Sequence, residues 1–211
     1  KPPAQPGTHM LKVAFVGTFA GRLAEPVRAM LDVPCEIITT ADGDEPAALA
    51  DCDVLVSMVF TPEMATAARR LKLVQVPGAG LDRIDQRALP PGAALANAYN
   101  HENGIAEHAI GAMLALTRNF VGRDAALRQG RWDGLWEPGG TPSAPSPELA
   151  GKTLGILGYG RIGQRLAKFA HAFDMRVLAV RRSPEGHPDD GIASVGGPAS
   201  LAGMLRASDF I

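Results

Sequence analysis

The stretch Thr153-Leu-Gly-Ile-Leu-Gly-Tyr-Gly-Arg-Ile-Gly163 decides the fold of the second half of the chain. Its first five residues are apolar enough for a buried strand, and the glycines Gly158, Gly160 and Gly163 then follow the pattern Gly-x-Gly-x-x-Gly. Gly158 permits a sharp turn, Gly160 lets the backbone approach a pyrophosphate, and Gly163 lets a helix pack closely on the strand. The pattern therefore predicts a dinucleotide-binding turn between a strand and a helix.

The residues around the glycines match the context that this turn requires. A helix is predicted over Arg161–Phe173 and a second strand over Arg176–Val180, so the motif opens a βαβ unit. The positive end of the helix would face the phosphates of the ligand. The alternative is that the glycines serve only a tight turn. The predicted contacts of the cofactor with the turn are Gly158, Tyr159, Gly160, Arg161, Ile162 and Gly163.

The end of the second strand bears on the choice of dinucleotide. An acidic residue about 20 residues after the glycines would bind the ribose 2′-hydroxyl of NAD. This chain has Arg181, Arg182 and Ser183 there instead. Two guanidinium groups and a hydroxyl suit a 2′-phosphate, so we expect NADP to be favoured over NAD. The alternative is that both arginines are solvated surface side chains paired with Asp189 or Asp190.

The first half of the chain alternates predicted strands and helices, which indicates an α/β fold with a parallel sheet covered on both faces. Residues 1–10 resemble an expression leader, so we expect a first domain over residues 11–96 and a second over residues 97–211. The predicted strands are Leu11–Val16, Cys35–Ile38, Val54–Met58 and Leu73–Val76, and the predicted helices are Ala20–Leu31, Glu45–Ala50 and Thr61–Arg70.

The segment after Asn97 contains a long apolar helix, predicted over Ile105–Phe120. Its apolar residues surround most of the helix, so burial on more than one side is expected. A proline-, glycine- and serine-rich connection follows over Trp136–Ala150. We expect a homodimer built on Ile105–Ala150 and the second domain, with Trp132 and Trp136 as interface anchors. The alternative is packing of the helix against the first domain. Later predicted elements are helices Gly122–Gln129 and Leu201–Ala207, a weak strand Ile192–Val195, and a strand beginning at Asp209.

Composition excludes several classes of protein. The formal net charge is −1, which gives no electrostatic reason to expect nucleic acid or an anionic membrane as a partner. No apolar run approaches the roughly 18 residues that cross a bilayer. The two cysteines, Cys35 and Cys52, lack the spacing of a disulfide framework or a zinc site, so no metal is expected. These properties favour a soluble cytoplasmic protein.

Three stretches together resemble the D-isomer-specific 2-hydroxyacid dehydrogenases, the group of glyoxylate/hydroxypyruvate reductase and phosphoglycerate dehydrogenase. They are Val76-Pro-Gly-Ala-Gly-Leu-Asp-Arg-Ile-Asp85, Asn103-Gly-Ile-Ala-Glu-His108 and residues 149–163. The resemblance implies a flavodoxin-like substrate domain followed by a Rossmann domain, with the active site between them.

The same resemblance implies where a substrate would bind. The backbone N–H groups of Ala79 and Gly80 would bind the substrate carboxylate, and His101 would lie near the substrate. The alternative for His101 is a helix-capping or surface histidine. Such enzymes also use an Arg, a Glu and a His, which would all follow Ile211, so no catalytic residue is assigned within this chain. On that ground we expect a truncated Rossmann domain, a piece of a longer enzyme, and no activity of the 211 residues alone.

The function implied is hydride transfer between NAD(P)H and a small 2-oxo or 2-hydroxy acid, of the glyoxylate or hydroxypyruvate kind. The alternative is a non-catalytic NAD(P)-responsive regulatory protein of the same fold. A nucleotide-binding hydrolase sharing the glycine turn is a third interpretation, which the first hundred residues do not support.

Overall fold

The computed structural model describes residues 10–40, 48–132, 146–185 and 191–211. The chain divides into two compact units, Lys1–Tyr99 and Asn100–Ile211. Each unit is built around its own parallel sheet.

The first unit contains a five-stranded parallel sheet in the order β2-β1-β3-β4-β5. This is the strand order of flavodoxin-like folds, so the α/β expectation is confirmed. The strands are β1 (Leu11–Val16), β2 (Cys35–Thr40), β3 (Val54–Ser57), β4 (Leu73–Val76) and β5 (Ala94–Asn97), and the helices are α1 (Thr18–Gly21), α2 (Ala24–Met30) and α3 (Pro62–Ala67), with a 3₁₀ turn at Gln86–Ala88.

Both faces of this sheet are buried. Along β1, Val13 and Phe15 belong to one apolar cluster and Ala14 and Val16 to another, as the two-residue period of a strand requires. The apolar run Leu11–Val16 is therefore a central strand covered on both sides.

The single helix predicted over Ala20–Leu31 is wrong, because the structure has two helices there. The first ends at Gly21, and the second begins at Ala24. Pro26 explains the break, since proline lacks an N–H and its ring clashes with the carbonyl four residues earlier. It is tolerated only in the first turn, so α2 cannot extend back through Arg22. The helix predicted over Glu45–Ala50 lies mostly outside the described residues.

A buried carboxylate joins the amino-terminal ends of three strands of the first unit. Asp53, which has no exposed surface, precedes β3 and accepts a hydrogen bond from the Lys12 backbone N–H at 3.1 Å. The Lys72 ammonium lies 3.0 Å and the Arg70 guanidinium 3.7 Å from its second oxygen. The Asp53 carbonyl also accepts from the Lys72 N–H. Burial, and next the Asp53 charge, raise the pKa of the adjacent Cys52 thiol to about 11, so this thiol stays protonated.

The second unit has a three-stranded parallel sheet in the order β6-β7-β8. Phe210 pairs with Leu154 on the open side of β6, which makes β6 an inner strand at that point. The strands are β6 (Thr153–Leu157), β7 (Arg176–Val180) and β8 (Ala193–Gly196), and the helices are α4 (Glu102–Thr117), α5 (Phe120–Arg128), α6 (Arg161–Ala172) and α7 (Leu201–Ala207), with a 3₁₀ turn at Pro198–Ser200. This order, with a further strand beside β6, is that of a Rossmann half.

Asp209 holds the segment beside β6 in place. Its carboxylate accepts from the Thr153 N–H at 2.8 Å and from the Lys152 ammonium at 3.2 Å. These hydrogen bonds, the one from Thr153 first, hold the pKa of Asp209 below its usual range. A carboxyl with a depressed pKa stabilises the folded state above its unfolded pKa, and that contribution is lost as the pH falls through the folded value.

Among the described residues, the long helix α4 has one buried face, and burial on more than one side stays a prediction. Its buried residues are Ala106, Ile110 and Met113, which lie three to four positions apart and so share one face. Leu116 is 76% exposed. The remaining apolar face of α4 is therefore uncovered by the described part of the chain.

The described residues lack a membrane-spanning helix and a cluster of metal ligands. No helix in them has the length and apolar character needed to cross a membrane. No group of three or more His, Cys, Asp or Glu residues in the same ranges could hold a metal ion.

We predict that Asp53→Ala lowers the free energy of unfolding by about 2–3 kcal/mol, because it leaves a buried N–H without its acceptor. Glu36→Ala is the control, since its 3.4 Å ion pair with Lys12 is on the surface and is worth at most about 1 kcal/mol. Urea unfolding of both variants measures the difference. Equal losses of stability in the two variants would contradict the role given to Asp53.

Candidate functional site

The glycine turn follows β6 directly. Gly158 has a φ of 104°, a conformation that side-chain-bearing residues rarely adopt. Its N–H donates to the Val180 carbonyl at 2.9 Å, which ties the turn to the end of β7. The turn and the carboxyl end of β7 therefore lie side by side, as the sequence pattern predicts.

Gly163 is required by the close approach of α6 to the turn. A Cβ at this position would lie 2.5 Å from the Gly158 carbonyl oxygen and 3.1 Å from Cγ2 of Ile156. The nearer neighbour is backbone and cannot move aside. The helix therefore begins directly against the turn, and its first amides lie at the mouth of the turn.

Gly160 lies at the position where a ligand would approach. It is the N-cap of α6 in an extended conformation, and its carbonyl accepts from the Gln164 N–H at 2.9 Å. A Cβ on Gly160 would meet no atom within 4 Å, so the space beside its backbone is open. The first N–H groups of a helix have no partner within the helix, and together with the helix dipole they attract anions. This end of α6 is suited to phosphate groups.

The other predicted residues of the turn differ in what they can contribute. The Tyr159 side chain is 1% exposed and packs in the apolar core of the second unit, so only its backbone can face a ligand. Ile162 is half-buried, and Arg161 is exposed with its guanidinium 4.0 Å from Glu102. The buried Tyr159 side chain therefore holds the turn against the core of the second unit.

Arg181, Arg182 and Ser183 directly follow Val180, the residue of β7 that accepts the hydrogen bond from the glycine turn. The Arg181 N–H donates to the Gly196 carbonyl at 3.0 Å, so the backbone there is held by β8. Arg181 is half-buried, whereas Arg182 and Ser183 are exposed. The alternative partners Asp189 and Asp190 lie outside the described residues.

Positive charge continues along α6 from the turn. Arg161, Arg165 and Lys168 line an open polar pocket of 250 Å³ together with polar residues at the start of α4. Arg165 donates to the Asn103 side-chain oxygen and stacks 4.9 Å from the centre of the Phe169 ring. The amino-terminal half of α6 therefore presents cations as well as backbone amides.

A second candidate site lies in the first unit, in the loop after β4. Asn97 pairs with Val76 in the register of β4 and β5, so the end of β5 lies beside the start of this loop. The Ala98 N–H donates to the Gly78 carbonyl at 3.0 Å, and the Asn97 side-chain amide donates to the Ala79 carbonyl at 2.9 Å. Two successive carbonyls of the loop therefore point toward the end of β5.

The orientation of these carbonyls determines where the next N–H groups point. In a trans peptide unit the carbonyl and the following N–H point in opposite directions, and the described residues contain no cis bond. The N–H groups of Ala79 and Gly80 therefore point away from β5. Within the described ranges neither N–H has a hydrogen-bond acceptor. Two unpaired N–H groups on adjacent residues are suited to bind a carboxylate.

His101 occupies the N-cap position of α4. Its side chain is exposed and makes no capping hydrogen bond, so the helix-capping interpretation is not supported. The structure places the imidazole on the surface of the second unit. Asn97, by contrast, was not among the residues singled out from the sequence.

Comparison with known proteins identifies the family. Residues 110–211 match the model of the D-isomer specific 2-hydroxyacid dehydrogenase NAD-binding domain. The chain is 32% identical over 171 residues to a glyoxylate reductase of Thermofilum pendens, covering 74% of this chain and 49% of that protein. These matches are to one family: the chain is similar to the D-isomer-specific 2-hydroxyacid dehydrogenases. It is also 35% identical over 136 residues to a hydroxypyruvate reductase of Thermotoga maritima, covering 62% of this chain and 42% of that protein.

Solved structures of this dehydrogenase family share the fold. A family member from Aeromonas salmonicida superposes with a TM-score of 0.72 at 24% identity, covering 95% of this chain and 62% of that one. The chain spans about half the length or less of the curated relatives described above. The recognition of the family and of its Rossmann domain from the sequence is thus confirmed.

We predict that Gly163→Ala destabilises the protein by about 1–3 kcal/mol, because the added methyl group meets backbone. Gly203→Ala is the matched control: it lies in α7 with no atom within 4 Å of its Cβ. That change is expected to be neutral or stabilising by up to about 1 kcal/mol. Thermal unfolding distinguishes the two. A neutral Gly163→Ala would show that the turn does not need the close approach.

Proposed function

We propose that this chain belongs to an NAD(P)-dependent reductase that transfers hydride to a small 2-oxo acid. One observation carries the proposal: Gly163 brings the start of α6 against a turn that Gly158 ties to the end of β7. That arrangement supports dinucleotide binding because it presents backbone amides, a positive helix end and open space at Gly160.

The residues of the turn suit the pyrophosphate of a nicotinamide dinucleotide. The amides at the start of α6 would bind the phosphate oxygens, and the Arg161 guanidinium would add positive charge beside them. When bound, the nicotinamide supplies a hydride to the carbonyl carbon of the substrate. The carbonyl oxygen then takes up a proton, and no residue of this chain is assigned as its donor.

The substrate carboxylate is proposed to bind the N–H groups of Ala79 and Gly80. The supporting geometry is the orientation of both groups away from β5 and the absence of an acceptor for either within the described ranges. A carboxylate accepts such charge-assisted hydrogen bonds readily. The named relatives, a glyoxylate reductase and a hydroxypyruvate reductase, favour a short 2-oxo acid as substrate. His101 is proposed to lie near the substrate because of the resemblance to the dehydrogenase family.

We further propose that NADP is favoured over NAD. The strand β7 ends at Val180, which accepts a hydrogen bond from the glycine turn, and it is followed directly by Arg181, Arg182 and Ser183. A 2′-phosphate carries close to two negative charges near neutral pH and forms charge-assisted hydrogen bonds with guanidinium groups. Partial exposure of the arginines reduces each contribution, so a preference of about tenfold is expected.

We predict that Arg181→Asp reverses the cofactor preference, because a carboxylate repels the 2′-phosphate and accepts from the ribose hydroxyls of NAD. The ratio of kcat/KM for NADPH and NADH, measured with the protein at its natural length, tests this. Arg69→Asp makes the same change of charge at an exposed position in the first unit and should leave the ratio unchanged. Equal ratios in the wild type and in Arg181→Asp would show that the arginine is only a surface charge.

The exposed apolar residues of α4 and α5, together with Trp132 after α5, are proposed to form a homodimer interface with a second copy of the chain. They form one stretch of sequence, and a net charge of −1 gives little repulsion between copies. Trp132, which is exposed, would anchor the interface, whereas Trp136 lies outside the described residues. The apolar residues concerned are Ile105, Leu116, Phe120, Val121, Leu127 and Trp132.

We predict that Val121→Glu weakens the dimer at least about tenfold, because it places a charge in an apolar interface. Met30→Glu is the control, since Met30 is 81% exposed in the first unit and Val121 is 80% exposed. Light scattering over a range of protein concentrations measures both. A monomeric wild type at micromolar concentration would contradict the interface.

A further inference from the structure

We propose that Asn97 is a positioning residue for substrate binding: its side-chain amide sets the orientation of the peptide unit that carries the Gly80 N–H. The inference rests on the proposed binding of a carboxylate by Ala79 and Gly80. It adds Asn97, a residue of the neighbouring strand β5. The geometry of the site depends on Asn97, although Asn97 itself does not touch the substrate.

The position of Asn97 suits this role. It is the last residue of β5, half-buried, and it pairs with Val76, the last residue of β4. The loop after Val76 therefore passes directly beside the Asn97 side chain. The short polar side chain of Asn97 reaches the loop from this register position, whereas Leu95, two positions earlier, packs against the core of the first unit.

The hydrogen bond from Asn97 acts on one peptide unit. Its Nδ2 donates to the Ala79 carbonyl at 2.9 Å. Rotation of that peptide unit would break this bond and would also turn the Gly80 N–H away from its present direction, because both groups belong to the same plane. The preceding unit is held by backbone, through the Ala98 N–H and the Gly78 carbonyl. The side chain therefore completes an orientation that the backbone of β5 begins.

The Asn97 amide is oriented by a second acceptor. Its Nδ2 also lies 3.2 Å from the Tyr99 hydroxyl oxygen. A primary amide nitrogen has two N–H donors, and here each has an oxygen within reach. Because the Ala79 carbonyl can only accept, the Asn97 nitrogen, and not the oxygen Oδ1, faces it.

The far side of the loop is held independently. The Phe60 N–H donates to the Arg83 carbonyl, and the Asp85 N–H donates to the Phe60 carbonyl. Loss of the Asn97 amide should therefore leave the loop attached and change mainly the orientation of the Ala79–Gly80 peptide. That separation makes binding, and not folding, the informative measurement.

Oxalate is a suitable probe because it is a small dicarboxylate that resembles a 2-oxo acid and is not reduced. The protein at its natural length, labelled with ¹⁵N at alanine and glycine, is titrated with oxalate. The expected result is a saturable shift of the Ala79 and Gly80 amide signals. No shift at either amide would overturn the proposed carboxylate site, and this inference with it.

Asn97→Asp replaces the donor with an acceptor of the same shape. We expect oxalate to bind about tenfold or more weakly at about pH 8, because the carboxylate repels the Ala79 carbonyl. Gln75→Glu is the matched control, since Gln75 lies on β4 and its amide donates to the Val76 carbonyl, outside the loop. The control should bind oxalate as the wild type does. Unchanged binding in Asn97→Asp, with the wild-type shifts intact, would overturn this inference and leave the carboxylate site standing.

Lowering the pH distinguishes a positioning role from a general loss of structure. A half-buried carboxyl beside a carbonyl has a raised pKa, and once protonated it donates as the amide does. Oxalate affinity of Asn97→Asp should therefore recover relative to the wild type between about pH 8 and about pH 5.5. A misfolded variant would not recover, and failure to recover would overturn the inference. Tyr99→Phe should weaken oxalate binding by less than about threefold, because it removes only the second acceptor of the Asn97 amide.

Discussion

The close approach of α6 to the glycine turn is the constraint on which the second unit depends. A larger residue at position 163 would place its Cβ 2.5 Å from the Gly158 carbonyl oxygen. Only glycine therefore fits there without a shift of the backbone. The approach places the positive end of α6 at the end of β6, and the Gly158 hydrogen bond to Val180 places the end of β7 beside it. The proposed phosphate-binding and ribose-binding ends of the site thus depend on two contacts, the close packing at Gly163 and the Gly158 hydrogen bond.

In the first unit, the buried carboxylate and the proposed binding loop lie at opposite ends of the strands. The buried Asp53 joins the amino-terminal ends of β1, β3 and β4 through the Lys12 N–H and the Lys72 ammonium. The loop with two outward N–H groups follows the carboxyl end of β4. Ligands of parallel α/β sheets bind outside the carboxyl ends of the strands, because loops there can vary while the opposite ends hold the sheet together.

The sequence predicted helices and strands correctly where the pattern of apolar residues and the positions of glycine and proline indicated the same element. The runs at Leu11–Val16 and Thr153–Leu157 are strands with the predicted bounds, since β-branched and apolar residues pack well in a covered sheet. The strand Ala94–Asn97 was missed because the segment contains no β-branched or aromatic residue, and it becomes a strand by pairing with β4. The break between α1 and α2 could have been predicted from Pro26, since proline restricts how far a helix extends toward its amino terminus.

The sequence by itself determined the family, the α/β class and the chemistry of the glycine turn, because each depends on residues close together in the chain. Only the tertiary structure decided the part played by Asn97, which lies 18 positions from Ala79 and reaches it through strand register. It also decided that one face of α4 is covered within the chain while Leu116 stays exposed. Spacing along one element is set by local geometry, whereas contacts between elements depend on how they pack, and packing is a property of the whole unit.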